Sequence, residues 1–115
     1  MAAKLVILIR SNPDKSHRPA EAIRIAAGLG IGKNPLKVIL SGESPRVLSP
    51  DEDDLIDIDI IEKFLPMMNE WNIPIYVDKR SLSNIDLKNS PYKFRVADSE
   101  ETSELIAGGH YVMVF

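Results

Sequence analysis

The sequence predicts an α/β domain: a three-layer α/β/α sandwich around a mainly parallel five-stranded sheet, with residues 1–115 forming a single domain. The first observation is a pair of near-continuous apolar runs, Lys4–Arg10 and Leu36–Leu40, which are typical of strands buried on both faces. The second is the helical segment between them, which makes a βαβ unit. The third is that strand-like and helix-like segments keep alternating to the last residue, without a repeat or linker.

The first three elements follow from local signals. Leu5–Ile9 is an uninterrupted branched apolar strand. A helix is predicted from about Arg18, with Pro19 at its first position, where the missing N–H costs nothing. Gly28–Lys33 closes this helix rather than following a strand, so it predicts a helix stop and not a phosphate loop. Lys37–Leu40 is the second strand.

The middle of the chain predicts two helices. A short helix is expected over residues 50–57 and a longer one over 60–71. Asp59 with Glu62 forms a capping box for the longer helix. Residues 57–60 also alternate as a strand would, so the boundary between the two helices stays open.

The last third continues the alternation. Strands are predicted at Ile73–Val77, Lys93–Ala97 and His110–Phe115, while 81–88 fits one helical turn and a loop. Asp98 with Glu101 is a capping box for a further helix, which ends at Gly108-Gly109.

Composition narrows the classes of function. The formal charge is −3 with no basic stripe, which argues against binding along a nucleic-acid backbone. There is no cysteine, so thiolate catalysis, thiolate metal ligands and disulfides are excluded. No apolar run is long enough to cross a bilayer and no cleavage site follows the first strand, so we expect no membrane partner and a cytoplasmic location.

Polar loops leave the carboxyl ends of the first three strands, where parallel α/β sheets bind ligands. If the first and third strands are neighbours, the charges at 78–80 should face residues 10–12 across a crevice. The loop over 11–18 also enters a helix N-terminus, which attracts anions. These loops predict a site for a small anionic ligand, with nine candidate binding residues: Arg10, Ser11, Asn12, His17, Ser41, Glu43, Asp78, Lys79 and Arg80.

No catalytic residue, metal site or cofactor is predicted. His17 or Asp78 could carry a proton if the crevice were an active site, but no triad spacing accompanies either residue. The acidic run Asp51–Asp54 is better explained by helix-end electrostatics than by a cation. An apolar stripe at 64, 67, 68 and 71 has helical spacing, which favours core over a subunit contact.

The order of segments resembles the DsrE/TusD-like (DsrE/F/H) sulfur-relay superfamily over nearly the whole chain. The resemblance rests on the strands Leu5–Ile9 and Leu36–Leu40, on Glu70-Trp71-Asn72 leading into Ile73–Val77, and on the closing segment Glu104–Phe115. It implies a homo-oligomer, commonly a trimer or hexamer. Sulfur-carrying members use a cysteine that would fall at or close to Asp78, and a persulfide needs a thiol that this chain lacks.

The function expected from these observations is that of a cytoplasmic DsrE-like protein that binds a small molecule or acts as an accessory protein, in oligomeric form and without covalent catalysis. Two alternatives stay open. One is an enzyme that uses the crevice at the carboxyl ends of the strands. The other is a regulatory subunit of a sulfur-relay complex.

Overall fold

The computed structural model describes residues 2–49 and 54–115. Two 3₁₀ turns, Ser44–Leu48 and Lys79–Ser83, accompany the regular elements. The strands and helices are β1 (Leu5–Ile9), α1 (Arg18–Leu29), β2 (Leu36–Leu40), α2 (Ile58–Glu70), β3 (Ile75–Asp78), β4 (Arg95–Ala97), α3 (Ser99–Ala107) and β5 (Tyr111–Val114).

The strands form one five-stranded sheet in the order β4-β3-β2-β1-β5, and every pairing is parallel. Leu5 pairs with Leu36 at one end of the central pair, and Ile9 pairs with Leu40 at the other. The predicted α/β fold with its parallel five-stranded sheet is confirmed.

The two faces of the sheet are covered unequally. Helices α1 and α2 pack against each other and against the larger core, which takes alternate strand residues such as Ile7, Val38 and Val77. The intervening residues form a smaller cluster of Val6, Ile39, Tyr76 and Ala97, against which α3 places Leu105 and Ile106. A single nine-residue helix therefore covers the second face.

The bounds of α1 and α3 agree with the local sequence signals. Helix α1 begins at Arg18, has its proline in the first turn and ends at Leu29, one residue before Gly30. In α3, Asp98 Oδ1 accepts a hydrogen bond from Glu101 N at 2.8 Å, which is the N-cap bond that the sequence predicts.

Helix α2 differs from its prediction at the start. It begins at Ile58, after Asp57 with φ 58° in the left-handed region, and no side chain caps it. Asp59 already lies in the first helical turn, so the predicted Asp59–Glu62 capping box is wrong. Of the short helix predicted over 50–57, residues 50–53 lie outside the described ranges and 54–57 are not helical. The stripe at 64, 67, 68 and 71 is core only in part: Met68 is fully buried and Phe64 packs against the core, whereas Trp71 is 39% exposed.

The third and fourth strands begin two residues later than predicted. Pro74 has no N–H to donate to a strand ladder, so β3 begins at Ile75. The backbone of Lys93 is bonded to helix α2 instead of the sheet: Lys93 N donates to Asn69 Oδ1 at 2.8 Å and Asn69 Nδ2 donates to Lys93 O at 3.2 Å. Within the described residues, no helix has both the length and the apolarity that a membrane span requires.

Candidate functional site

The carboxyl ends of β1, β2 and β3 meet at one edge of the sheet because all the strands are parallel. β2 lies between β1 and β3, so the first and third strands are not neighbours and the condition set for a crevice directly between them is not met. The three strand ends still border one open cavity under α3, which we call the rim cleft.

The rim cleft has a volume of about 610 Å³, which is in the range of small-molecule sites. Four chain segments contribute to it: the end of β1, the loop after β2, the end of β3 with the turn that follows, and the inner side of α3. The lining residues are Leu8, Arg10, Ser41, Gly42, Glu43, Asp78, Arg80, Ser81, Asn84, Thr102 and Ile106.

Asp78 is the buried acid of the rim cleft. Its Oδ1 accepts hydrogen bonds from Arg80 N at 3.0 Å and Arg80 Nε at 3.2 Å, and its Oδ2 accepts one from Arg80 Nη2 at 2.8 Å. The side-chain hydrogen bonds from Arg80 hold the pKa of Asp78 below its usual value, although burial opposes this. Asp78 is therefore an ionised, charge-paired wall group and a weak proton acceptor.

Arg10 brings a second guanidinium to the rim cleft. Its backbone N donates to Phe115 O at 2.8 Å, which fixes the end of β1 against the end of the chain. The side chain is exposed, and within the described residues it has neither an ion pair nor a side-chain hydrogen bond. Arg10 can therefore bind a ligand without first breaking an ion pair.

Gly42 lets the loop after β2 turn tightly against β1. Its φ is +60°, and a Cβ on this residue would lie 3.0 Å from the carbonyl oxygen of Arg10. The positive φ and the contact with Arg10 O would both strain a larger residue, so glycine is favoured at this point of the rim-cleft lining.

Thr102 lines the rim cleft and carries a buried hydroxyl. The residue is 7% exposed, and its Oγ1 has no hydrogen-bond partner. A buried hydroxyl without a partner is destabilising and calls for an explanation, such as a bound molecule. Sequence reasoning missed this residue, although Thr102, Leu105 and Ile106 repeat at the spacing of one inward helix face.

The structure brings five of the nine candidate residues together and leaves four elsewhere. Arg10, Ser41, Glu43, Asp78 and Arg80 line the rim cleft, whereas Ser11, Asn12, His17 and Lys79 do not. Besides Thr102, the residues that sequence reasoning missed are Leu8, Gly42, Ser81, Asn84 and Ile106.

The first loop turns away because its chain must enter α1 on the opposite side of the sheet. Pro13 O accepts a hydrogen bond from Ile56 N at 2.9 Å, which ties this loop to the segment before α2. Asn12 Oδ1 accepts hydrogen bonds from Asp14 N at 2.9 Å and Arg46 Nη1 at 3.1 Å. Asn12 is thus engaged within its own loop and the next one.

His17 pairs with Asp57 outside the rim cleft. Its Nδ1 lies 2.6 Å from Asp57 Oδ2, and its side chain is 78% exposed. His17 therefore links the first loop to the start of α2 and has no access to the cavity under α3. Neither suggested proton carrier is suited to that role, since Asp78 is charge-paired and His17 lies elsewhere.

Within residues 2–49 and 54–115, no three His, Asp or Glu side chains are grouped closely enough to hold a metal ion. Most of the acidic run at 51–54 lies outside the described residues. The polar groups that do converge on the rim cleft are suited to hydrogen bonding and charge pairing with an organic ligand.

A single parallel five-stranded sheet with helices on both faces and an open cleft under α3 defines the class of this protein, which is an α/β protein. The crystal structure of the ychN protein from E. coli is similar, with a TM-score of 0.82 over 100% of both chains. The two sequences are 17% identical, so the likeness shows the shared fold alone. No protein-family model matches this sequence, and no curated protein matches it.

Proposed function

We propose that this protein is a non-catalytic small-molecule-binding or accessory protein of the DsrE/TusD-like superfamily that holds a ligand with an acid group in the rim cleft. The observation that carries the proposal is the exposed guanidinium of Arg10, which lines the rim cleft and has no ion pair within the described residues. The accessible guanidinium of Arg10 supplies the charge that attracts an acid.

The proposal assigns binding rather than sulfur transfer. The resemblance places the sulfur-carrier position at or close to Asp78, and the sequence contains no cysteine to carry a persulfide. The Asp78 carboxylate is fixed by Arg80 and supports a role in shaping the wall of the rim cleft.

The test is a thermal-shift screen of small organic acids against the purified protein, because a ligand of the native state raises Tm by mass action. The matched variants are Asn84→Trp, which places a bulky side chain on the lining of the rim cleft, and Asn89→Trp, an exposed position outside that lining. We expect at least one acid to raise Tm for wild type and Asn89→Trp but not for Asn84→Trp. A screen in which no acid shifts Tm, or in which Asn84→Trp responds like wild type, rejects the proposal.

The proposal includes a homo-oligomer, a trimer or hexamer. Val112 and Val114, at 39% and 48% exposed, lie beside Val6 and Leu8 on the sheet face that α3 covers only in part. Exposed apolar groups in one patch are typical of protein contacts. Light scattering after size-exclusion chromatography should give an oligomer for wild type and for Ile31→Glu, an exposed control, and a smaller species for Val112→Glu/Val114→Glu. A monomeric wild-type protein contradicts this part.

A further inference from the structure

The rim cleft contains two opposite charges without partners. Arg10 and Glu43 are both exposed and both line the cavity, and within the described residues neither makes an ion pair. The other two charged residues, Asp78 and Arg80, neutralise each other through two side-chain hydrogen bonds. A ligand therefore meets one available cation and one available anion.

These two residues lie on adjacent strand exits. Ser41 N donates to Ile9 O at 2.9 Å, which holds the two exits together just before Arg10 and Glu43. The Cβ position of Gly42 lies 3.0 Å from Arg10 O, so the loop that carries Glu43 runs against the backbone of Arg10. One small molecule can therefore reach both side chains.

We infer that the ligand is a small zwitterion, an amino acid in the broad sense, whose carboxylate pairs with Arg10 and whose ammonium pairs with Glu43. The inference rests on the proposed function and names its ligand class. A simple anion would satisfy Arg10 but place its charge beside Glu43, and a simple amine would have the converse defect. Leu8 and Ile106 line the same cavity and offer apolar contact to the carbon skeleton.

The test uses isothermal titration calorimetry with four six-carbon probes: 2-aminohexanoate, 6-aminohexanoate, hexanoate and hexylamine. The two amino acids cover short and long separations of the charges, and the other two probes carry one charge each. We expect at least one amino acid to bind about twofold to fivefold tighter than either singly charged probe, which is the effect of one exposed ion pair.

Two variants assign the charges. Glu43→Gln should remove the preference for that amino acid over hexanoate, and Arg10→Gln should remove its preference over hexylamine. Glu43→Asp should keep part of the preference, and Lys79→Gln, an exposed neighbour outside the cleft lining, should change neither. All three positions are exposed, so the four variants should retain the fold.

The outcomes separate this inference from the proposed function. The zwitterion inference is overturned if hexanoate binds as tightly as both amino acids, or if Glu43→Gln leaves the preferences unchanged. In either case the proposed acid-binding function still stands. Failure of all four probes to bind, when another acid raises Tm in the screen and Asn84→Trp abolishes that shift, also overturns the zwitterion inference. Failure of the whole screen rejects the proposed function as well.

Discussion

Asp78 and Arg80 form a two-point ion pair across a steep gradient of exposure: the carboxylate side chain is 4% exposed and the guanidinium 73%. Both carboxylate oxygens accept hydrogen bonds from the same guanidinium, at 3.2 and 2.8 Å. The pair closes one wall of the rim cleft and removes the charge of Asp78 from ligand recognition.

Asp78→Asn should lower the free energy of unfolding by about 1 kcal/mol, because the charge-assisted bonds are lost but solvent already screens the exposed guanidinium. The matched control is Asp86→Asn. Asp86 Oδ1 accepts a hydrogen bond from the backbone N of Lys88 at 2.9 Å, just as Asp78 Oδ1 accepts one from the backbone N of Arg80. Within the described residues, Asp86 has no other hydrogen-bond partner. Urea titrations of both variants measure the difference, and equal losses would show that the ion pair adds nothing.

The same pair gives stability a dependence on pH. Because folding lowers the pKa of Asp78, its contribution is complete above the unfolded-state pKa of about 3.9 and disappears as the pH falls through the lower folded-state pKa. The stability difference between wild type and Asp78→Asn should therefore stay constant from neutral pH down to about pH 5 and shrink as the pH falls below about 4. Denaturant titrations at several pH values measure it, and a constant difference would contradict the assignment.

Thr102→Val should raise the free energy of unfolding of the ligand-free protein by about 1 kcal/mol, since valine has nearly the same shape and removes an unsatisfied buried hydroxyl. Thr102→Ser keeps the hydroxyl and removes a buried methyl group, so this variant should lose stability instead. A valine variant less stable than wild type would indicate that the hydroxyl is satisfied in solution.

Gly42→Ala and Gly28→Ala should move stability in opposite directions. At Gly42, the positive φ and the 3.0 Å approach to Arg10 O should cost about 1–2 kcal/mol. At Gly28, inside α1, nothing lies within 4 Å of the new methyl, so alanine should stabilise the helix by about 0.5–1 kcal/mol. Thermal unfolding measures both, and a stabilised Gly42→Ala would disprove the strain at this turn.

Much of the fold could be predicted because local signals and burial agreed along most of the chain. The continuous apolar run of β1, the proline at the start of α1 and the Asp98 cap of α3 each act within a few residues. The start of α2 could not be predicted, since Asp57 adopts a left-handed conformation that its own sequence does not require. The start of β4 depends on Asn69, a partner 24 residues from Lys93.

The candidate site, like the fold, could be predicted from the sequence only in part. The sequence alone indicates that polar side chains follow the first three strands. Five of these residues do line one cavity: Arg10, Ser41, Glu43, Asp78 and Arg80. Which loop residues turn into that cavity depends on the side of the sheet that each following element takes. Asn12 and His17 follow the chain toward α1, and Thr102 enters from a helix far along the sequence.

The sequence by itself determined a cysteine-free α/β chain with parallel strands and polar strand ends, because hydrophobic periodicity and composition are properties of neighbouring residues. The tertiary structure decided that β2 separates β1 from β3, that Arg80 neutralises Asp78, and that the hydroxyl of Thr102 is buried without a partner. The physical reason is that charge pairing and desolvation are set by distances through space, and these exist only after distant segments have packed.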